Sequence, residues 1–566
     1  MAVYQSTRAS QRVGPLRSRR GCKTCKIRKI KCGEEKPSCQ RCIASKYKCE
    51  YDKPTTCTYS SAPSTTSILD LPVSTFPNTV WRERRAFAYY FQHAAPYLSG
   101  GMDRDFWVSV VPQICRTEPA LWDAVNAIST LFENPKICID FVFLSLRHKK
   151  PPAPNPTQSQ ALGWYSRSLS KIRAQIDRGS VDAQVALISS VLFMCIETLQ
   201  GHVEDALQLF HQGIKLILDL RATKTSHNIL IERTIVPLFI RLGTAALTLS
   251  GVPVCDLFKD LETDGEYSFA SLKSARDALV SLAAEALVLE RESGSNPFID
   301  VYPEATPVMV ARQNHLHHRL DQWYRAYTSL TEASQGKGHS PSNLDTGPNA
   351  LLLAFHTTLT MIVSTCFKRL ESVYDGYLPS FRIVVEQAGV ALDCSASPDG
   401  TQPAFTFELG VGLPLYYTAL HCRNPSLRRN ALELLQKAPP MQGFHKCAPG
   451  IMIARKIMHL EEEFAKDILR DSVAQQPTNN PLLTPPYDDA DVDTSEIPDE
   501  ARIQHYAFFR PRESPALVGP HDIAKWKRGP DQIFLRFTRN RRDKVDEAVW
   551  RLTDELVPMD LDLDLT

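Results

Sequence analysis

Six cysteines between positions 22 and 49 constrain this chain more than any other feature of its sequence. They are Cys22, Cys25, Cys32, Cys39, Cys42 and Cys49. Their spacing is C-x2-C-x6-C-x6-C-x2-C-x6-C, which repeats with a period of 17 residues. The first twenty residues carry five arginines and no apolar run, so we expect no secretory signal and a reducing, intracellular location. In that setting clustered cysteines bind metal more often than they form disulfides.

The number of sulfurs indicates how many metal ions they hold. Structural zinc takes four ligands in a tetrahedron, so two separate ions need eight thiolates, whereas this stretch provides six. Two sulfurs that each bridge both ions resolve the difference. The repeat favours Cys22 and Cys39 for this role, since each is the first cysteine of its half. We therefore expect two zinc ions and a net cluster charge of about −2.

Positive charge is concentrated in the same part of the chain. Residues 1–53 carry fifteen Lys or Arg against four acidic residues, whereas the whole chain of 566 residues has a net charge of only +2. Between the first and last cysteine of the cluster, nine basic side chains oppose two acidic ones. About five positive charges remain after the cluster is neutralised, which is typical of a surface that binds phosphates.

Each half predicts one short helix. The segment KIRKIK after Cys25 contains neither Gly nor Pro, and the isoleucines in it, Ile27 and Ile30, are three residues apart. We expect these two to face the metal and the basic side chains to face outward. The second half repeats this plan in IASKYK, where Ile43 and Tyr47 are expected to face inward together with Ala44.

At these residues the chain closely resembles the binuclear zinc cluster of the fungal transcription factor family. The resemblance implies that Cys22 and Cys39 bridge the two zinc ions and that Arg28 and Lys29 read a CGG triplet. By position and charge, the side chains expected to contact phosphates are Lys23, Lys26, Lys31, Arg41 and Lys46. A zinc-dependent protein-interaction module that binds no specific DNA would need the same cysteines but not the surplus of basic residues.

The rest of the sequence predicts helices and linkers. We expect a basic N-terminal arm at 1–21, the zinc cluster domain at 22–53, a Ser/Thr/Pro-rich linker at 54–80, an all-helical domain at 81–470, an acidic Pro-rich linker at 471–500 and a C-terminal extension at 501–566. The fold class is a small irregular zinc-stabilised DNA-binding domain with two short helices, followed by a large all-α regulatory domain.

Three stretches of the helical domain resemble the regulatory domain that accompanies the zinc cluster in one branch of this family. They begin at Glu83, Val191 and Leu413, and the resemblance extends to about residue 470, with Phe444 in place of an expected Trp. Common catalytic motifs are absent from the sequence, so no enzyme is predicted. The most apolar stretch, 183–199, is too short and too polar to predict a membrane span.

These features together predict a nuclear regulator of RNA polymerase II promoters, more an activator than a repressor, whose partners are CGG-containing double-stranded DNA and coactivators. The segment 554–566 alternates acidic and apolar residues, which is typical of a disordered activation segment, although a terminal strand or a frayed tail fits the same pattern. The segment that starts at Gln532 alternates as a strand does, and we expect it to form a small appended unit. No heptad pattern follows the cluster, which leaves a monomer, a homodimer formed through the body, or a partner protein open.

Overall fold

The computed structural model describes residues 22–36, 38–49, 80–135, 155–223, 229–249, 254, 256–260, 266–294, 305–335, 343–474, 497–512, 524–525, 532–542 and 550–559. The predicted arm at 1–21 and most of the two predicted linkers lie outside these residues. The chain divides into two compact units, Met1–Thr75 and Phe76–Thr566.

The first unit contains two short helices of the same construction. Helix α1 is Lys23–Ile27 and helix α2 is Gln40–Ala44, and each begins directly after the first cysteine of its half. Each helix is followed by a lysine with left-handed backbone, Lys29 and Lys46, both with φ of 54°. A residue with a side chain rarely adopts this conformation. Its recurrence after 17 residues shows that the two halves fold alike, and the prediction of two short helices is confirmed.

Helices make up most of the second unit. They are α3 (Trp81–Tyr89), α4 (Ala95–Leu98), α5 (Val111–Ile114), α6 (Pro119–Glu133), α7 (Pro156–Asp177), α8 (Ala183–Gln200), α9 (Val203–Ala222), α10 (Val236–Leu247), α11 (Leu272–Ser293), α12 (Pro307–Gln335), α13 (Asn343–Thr365), α14 (Leu378–Ser395), α15 (Gly412–His421), α16 (Pro425–Lys437) and α17 (Cys447–Ala474). Single π-helical turns precede α4, α5 and α10, and 3-10 turns lie at Asp256–Asp260, Glu371–Tyr377 and Asp499–Ala501.

Local sequence explains where several of these helices begin and end. Asn155 caps α7, because its side chain accepts a hydrogen bond from the Gln158 N–H while the Gln158 side chain accepts one from the Asn155 N–H. Helix α8 ends at Gly201, whose φ of 83° suits a residue without Cβ. By length and composition α8 could cross a membrane, but 67% of its apolar window is buried inside the unit. Here it is a core helix, and the absence of a membrane span stays a prediction.

Two small sheets interrupt the helical plan. Strands β1 (Phe405–Thr406), β2 (Met441–Gln442) and β3 (His445–Lys446) form one sheet within the region predicted to be all-helical. Strands β4 (Ile503–Phe509), β5 (Ile533–Arg542) and β6 (Trp550–Met559) form an antiparallel sheet in the order β4-β5-β6. The strand predicted from Gln532 is confirmed as β5.

The second sheet belongs to the core of the helical unit. Ile503, Leu535, Phe537 and Met559 join the same apolar cluster that runs through the helices from Ala86 onward. The C-terminal extension is therefore continuous with the helical domain rather than appended to it.

The acidic-hydrophobic tail is ordered over its first half. Asp554 accepts hydrogen bonds from the Arg536 Nε at 3.0 Å, and Glu555 accepts one from the Arg539 Nε at 2.9 Å, so β6 is paired to β5 by charge as well as by backbone. Leu556 packs against buried aromatic side chains of the sheet. The interpretation of 554–566 as a disordered segment is wrong for 554–559, where the alternative of a terminal strand is confirmed, while 560–566 lie outside the described residues.

Candidate metal centre and nucleic-acid interface

The structure brings all six predicted cysteines together. Cys22, Cys25, Cys39 and Cys42 are completely buried, and Cys32 and Cys49 are half-buried at the edges of the cluster. The Cys22 Sγ lies 3.8 Å from the Cys39 Sγ and 3.7 Å from the Cys42 Sγ. Sulfur atoms of different residues at such distances, without disulfides between them, are arranged as ligands around a shared centre.

The sulfurs form two groups of four. One group is Cys22, Cys25, Cys32 and Cys39, and the other is Cys22, Cys39, Cys42 and Cys49. Within each group all four sulfurs lie within 4.8 Å of one another. The groups share Cys22 and Cys39, the pair that the 17-residue repeat favours as bridges. Six thiolates in this arrangement fit two tetrahedral zinc sites, because the shared pair supplies a ligand to both.

Backbone N–H groups support the outer sulfurs with the same period. The Cys22 N–H donates to the Cys32 Sγ at 3.3 Å, and the Cys39 N–H donates to the Cys49 Sγ at 3.3 Å. Such hydrogen bonds fix the direction of a ligand and favour the thiolate form. Each half therefore orients its third cysteine through the backbone of its first.

Crowding makes the cluster dependent on cations. Burial, together with the neighbouring sulfurs of Cys39 and Cys22, raises the pKa of the Cys42 thiol to about 12, whereas hydrogen bonds from Cys42 outweigh burial and lower the pKa of Cys39 to about 6. Thiolates packed this closely repel one another, and divalent cations remove that repulsion while they displace the protons. The donor set therefore suits zinc.

The predicted inner faces of the two helices are wrong. Ile27 is 73% exposed, Ile43 is 62% exposed and Tyr47 is 56% exposed, and Ile30 is also open to solvent. The unit is too small to surround an apolar core in addition to the metal cluster. The cysteines occupy the interior, and the larger apolar side chains are displaced to the surface.

The predicted cationic residues lie on the surface of the cluster. Lys23, Lys26, Lys29, Lys31, Arg41 and Lys46 are exposed, whereas Arg28 is partly buried. Lys29 occupies the left-handed turn at the end of α1. Arg28 differs from the others because its guanidinium carbon lies 4.1 Å from the centroid of the Tyr47 ring. Sequence reasoning missed this contact, since it placed Tyr47 on the inner face.

Comparison with known proteins agrees with this geometry. Residues 20–58 match the family model of the fungal Zn(2)-Cys(6) binuclear cluster domain. A cluster of this kind, followed by a helical domain, defines a DNA-binding regulator of transcription that holds two zinc ions and is not an enzyme. Residues 85–459 match the family model of the fungal specific transcription factor domain. Because this second match covers more than half of the chain, the protein belongs to that family. No curated protein and no solved structure matches the chain.

Proposed function

We propose that this protein is a nuclear regulator of RNA polymerase II promoters that recognises CGG-type triplets through Arg28 and Lys29. The observation that carries the proposal is the pair of sulfur groups sharing Cys22 and Cys39 beneath a surface of exposed cations. Zinc supplies the structural centre, and the six cysteines hold it. The chain's own contribution to recognition is the position of α1 and of the turn that follows it.

DNA binding is proposed to use two kinds of contact, to bases and to phosphates. Arg28 and Lys29 directly follow α1, where a side chain can donate to the O6 and N7 acceptors of guanine, the commonest base contact of Arg and Lys. The remaining exposed cations, Lys23, Lys26, Lys31, Arg41 and Lys46, are assigned to phosphates, which set affinity and register but carry no sequence information. One cationic surface is thus proposed to make both base contacts and phosphate contacts.

Fluorescence anisotropy of the full-length protein on a CGG-containing duplex and on a scrambled duplex tests this function. We expect tighter binding to the CGG duplex and, with about five phosphate contacts, a slope of log affinity against log salt near −4 to −5. Lys29→Ala should reduce the preference for CGG, at a cost of roughly 1 to 3 kcal/mol on that duplex alone. The matched variant Lys46→Ala should weaken both duplexes alike.

Equal binding to both duplexes, with no effect of Lys29→Ala, would favour the alternative function, a zinc-dependent interaction module without specific DNA binding. The exposed cations of the cluster favour DNA, because a protein-binding module needs no surplus of positive charge. Sedimentation velocity of the full-length protein, free and with a single-site duplex, separates the monomer from a homodimer formed through the body.

The proposed direction of regulation is activation through coactivators, which rests on the acidic-hydrophobic composition of 560–566, the part of the predicted segment beyond β6. Since strand β6 extends to Met559, two deletions are informative in a reporter assay. Removal of 560–566 leaves the sheet intact, whereas removal of 554–566 also removes residues 554–559, which pair with β5. A loss of reporter output in the shorter deletion, at unchanged DNA affinity, supports an activating tail. Unchanged output contradicts it.

A further inference from the structure

Arg28 and Tyr47 come from opposite halves of the zinc cluster and contact each other. Arg28 directly follows α1, and its backbone N–H donates to the Thr24 carbonyl at 3.1 Å. Tyr47 follows the corresponding turn after α2. The guanidinium carbon of Arg28 lies 4.1 Å from the centroid of the Tyr47 ring. A cation over an aromatic face at this distance is attracted by the electrons of the ring.

The Arg28 guanidinium lies against the Tyr47 ring. The Arg28 Nη1 atom is buried and donates no hydrogen bond to the residues that the structure describes. Tyr47 itself is 56% exposed, so its ring is not needed to fill the interior of the cluster. The most evident consequence of its position is the orientation of Arg28.

A second contact fixes the place of the ring. The Thr24 hydroxyl, on α1, donates to the Lys48 carbonyl at 2.7 Å. The chain on which Tyr47 lies is thereby attached to the helix that presents Arg28. The 17-residue repeat pairs Arg28 with Ser45 and Tyr47 with Ile30, so the second half lacks an equivalent cation and ring. The contact between Arg28 and Tyr47 therefore has no counterpart at the position related by the repeat.

We propose that Tyr47 is a positioning residue that orients Arg28 for reading guanine. This inference rests on the proposed function. A guanidinium held through its face against a ring keeps those of its in-plane N–H groups that are not buried available for donation to a base. A side chain ordered before binding also loses less conformational freedom when the complex forms. The ring therefore contributes to recognition of the triplet and not to attraction by phosphates.

Tyr47→Leu in the full-length protein tests this role by fluorescence anisotropy on the CGG and scrambled duplexes. We expect affinity for the CGG duplex to fall about three- to ten-fold, with affinity for the scrambled duplex unchanged. Tyr47→Phe, which keeps the ring, should retain the discrimination. Ile43→Ala removes another exposed apolar side chain of the same half and should leave both affinities unchanged.

A double-mutant cycle distinguishes the positioning of Arg28 from a merely structural role of Tyr47. In an Arg28→Ala background, Tyr47→Leu should have no further effect on the discrimination between duplexes. Native mass spectrometry verifies two zinc ions in each variant, and Tyr47→Met replaces Tyr47→Leu if the leucine variant holds fewer. Preserved discrimination in the variants without a ring, or an equal loss on both duplexes, overturns the inference while the proposed function stands. A wild-type protein without CGG preference overturns both.

Discussion

The two compact units of this protein solve the problem of a stable interior in opposite ways. In the zinc cluster the interior consists of cysteine sulfur, and Ile27 and Ile43 are left in solvent. In the helical unit one continuous apolar cluster includes side chains from α3 to β6. The difference teaches that a short chain can replace hydrophobic burial with metal coordination, whereas a chain of several hundred residues has no need to.

The units also differ in how they bury charge. The cluster buries thiolates that only metal cations can balance. The helical unit buries carboxylates beside arginines: Arg276 is fully buried and bonds Asp103 at 2.9 Å and Glu408 at 2.7 Å. Burial alone would raise the pKa of Asp103, but Arg241 and Arg276 lower it to about 2. One unit therefore depends on zinc for its charge balance, and the other carries its counterions in its own sequence.

The largest effect is expected from removal of a shared sulfur. Cys39→Ser should release both zinc ions, because each sulfur group contains Cys39, and should lower affinity for the CGG duplex about 1,000-fold or more. Helicity measured by circular dichroism should not change. Cys49→Ser removes a ligand of one group only and should retain one ion, and the exposed Cys394 serves as a control as Cys394→Ser. Loss of a single ion from Cys39→Ser would contradict the shared role.

A second large effect should be confined to the helical unit. Glu461 is fully buried between Arg423 and Arg428, whose Nη atoms lie 2.6 and 2.7 Å from its oxygens. Glu461→Gln removes the carboxylate that faces Arg428, while Arg423 keeps its contact with Glu371 at 2.9 Å, and should lower the free energy of unfolding by about 3 to 5 kcal/mol in urea denaturation.

The control for this prediction is the neighbouring residue. Glu462 pairs with Arg429 in a solvent-exposed contact, and Glu462→Gln should cost less than about 1 kcal/mol. Zinc content should stay at two ions in both variants. Equal destabilisation by the two substitutions would show that the buried arginines do not depend on Glu461.

A smaller effect depends on pH. Burial lowers the pKa of His445 from 6.5 to about 4, so the folded protein keeps this imidazole neutral where the unfolded chain binds a proton. The stability it contributes is complete above about pH 6.5 and is lost as pH falls towards 4, by roughly 2 to 3 kcal/mol. Urea denaturation of His445→Leu should show a shallower loss between these pH values. His318→Leu, at an exposed position, should follow the wild type.

The smallest effect is expected at the surface of the cluster. Ile27→Ser changes a side chain that is 73% exposed, so zinc retention in a chelator titration without DNA should shift by less than about 0.5 kcal/mol. An early loss of zinc would show that Ile27 supports the cluster after all, and would weaken the contrast between the two interiors.

Several features were predictable because local spacing determines them. The cysteine period predicted the ligand number and the pair of cysteines that both sulfur groups share, since tetrahedral coordination leaves few arrangements for six sulfurs, and it also predicted the two similar helices. Helical periodicity predicted the body, and alternation predicted β5. Two-residue strands such as β1 and β2 were beyond this reasoning, because they contain too few residues to show any period and exist only where Met441 lies beside Phe405.

The tail shows how a composition can mislead. Asp554 and Glu555 suggested charge repulsion and disorder, but Arg536 and Arg539 on β5 supply the opposite charges. The partners are 18 and 16 residues away, a separation that no local pattern reveals. Tertiary pairing here outweighed composition. Ile27 is a second example, because it was expected to face the metal and instead lies in solvent.

The sequence by itself determined the metal, its number of ligands and the cationic character of the first unit, because coordination chemistry and net charge are properties of residue type and spacing. Tertiary structure alone decided which side chains lie inside, that the C-terminal strands join the helical core, and that Tyr47 lies over Arg28. These outcomes depend on contacts between segments distant along the chain or between two halves of a repeat. Such contacts contribute to stability only after the chain has folded.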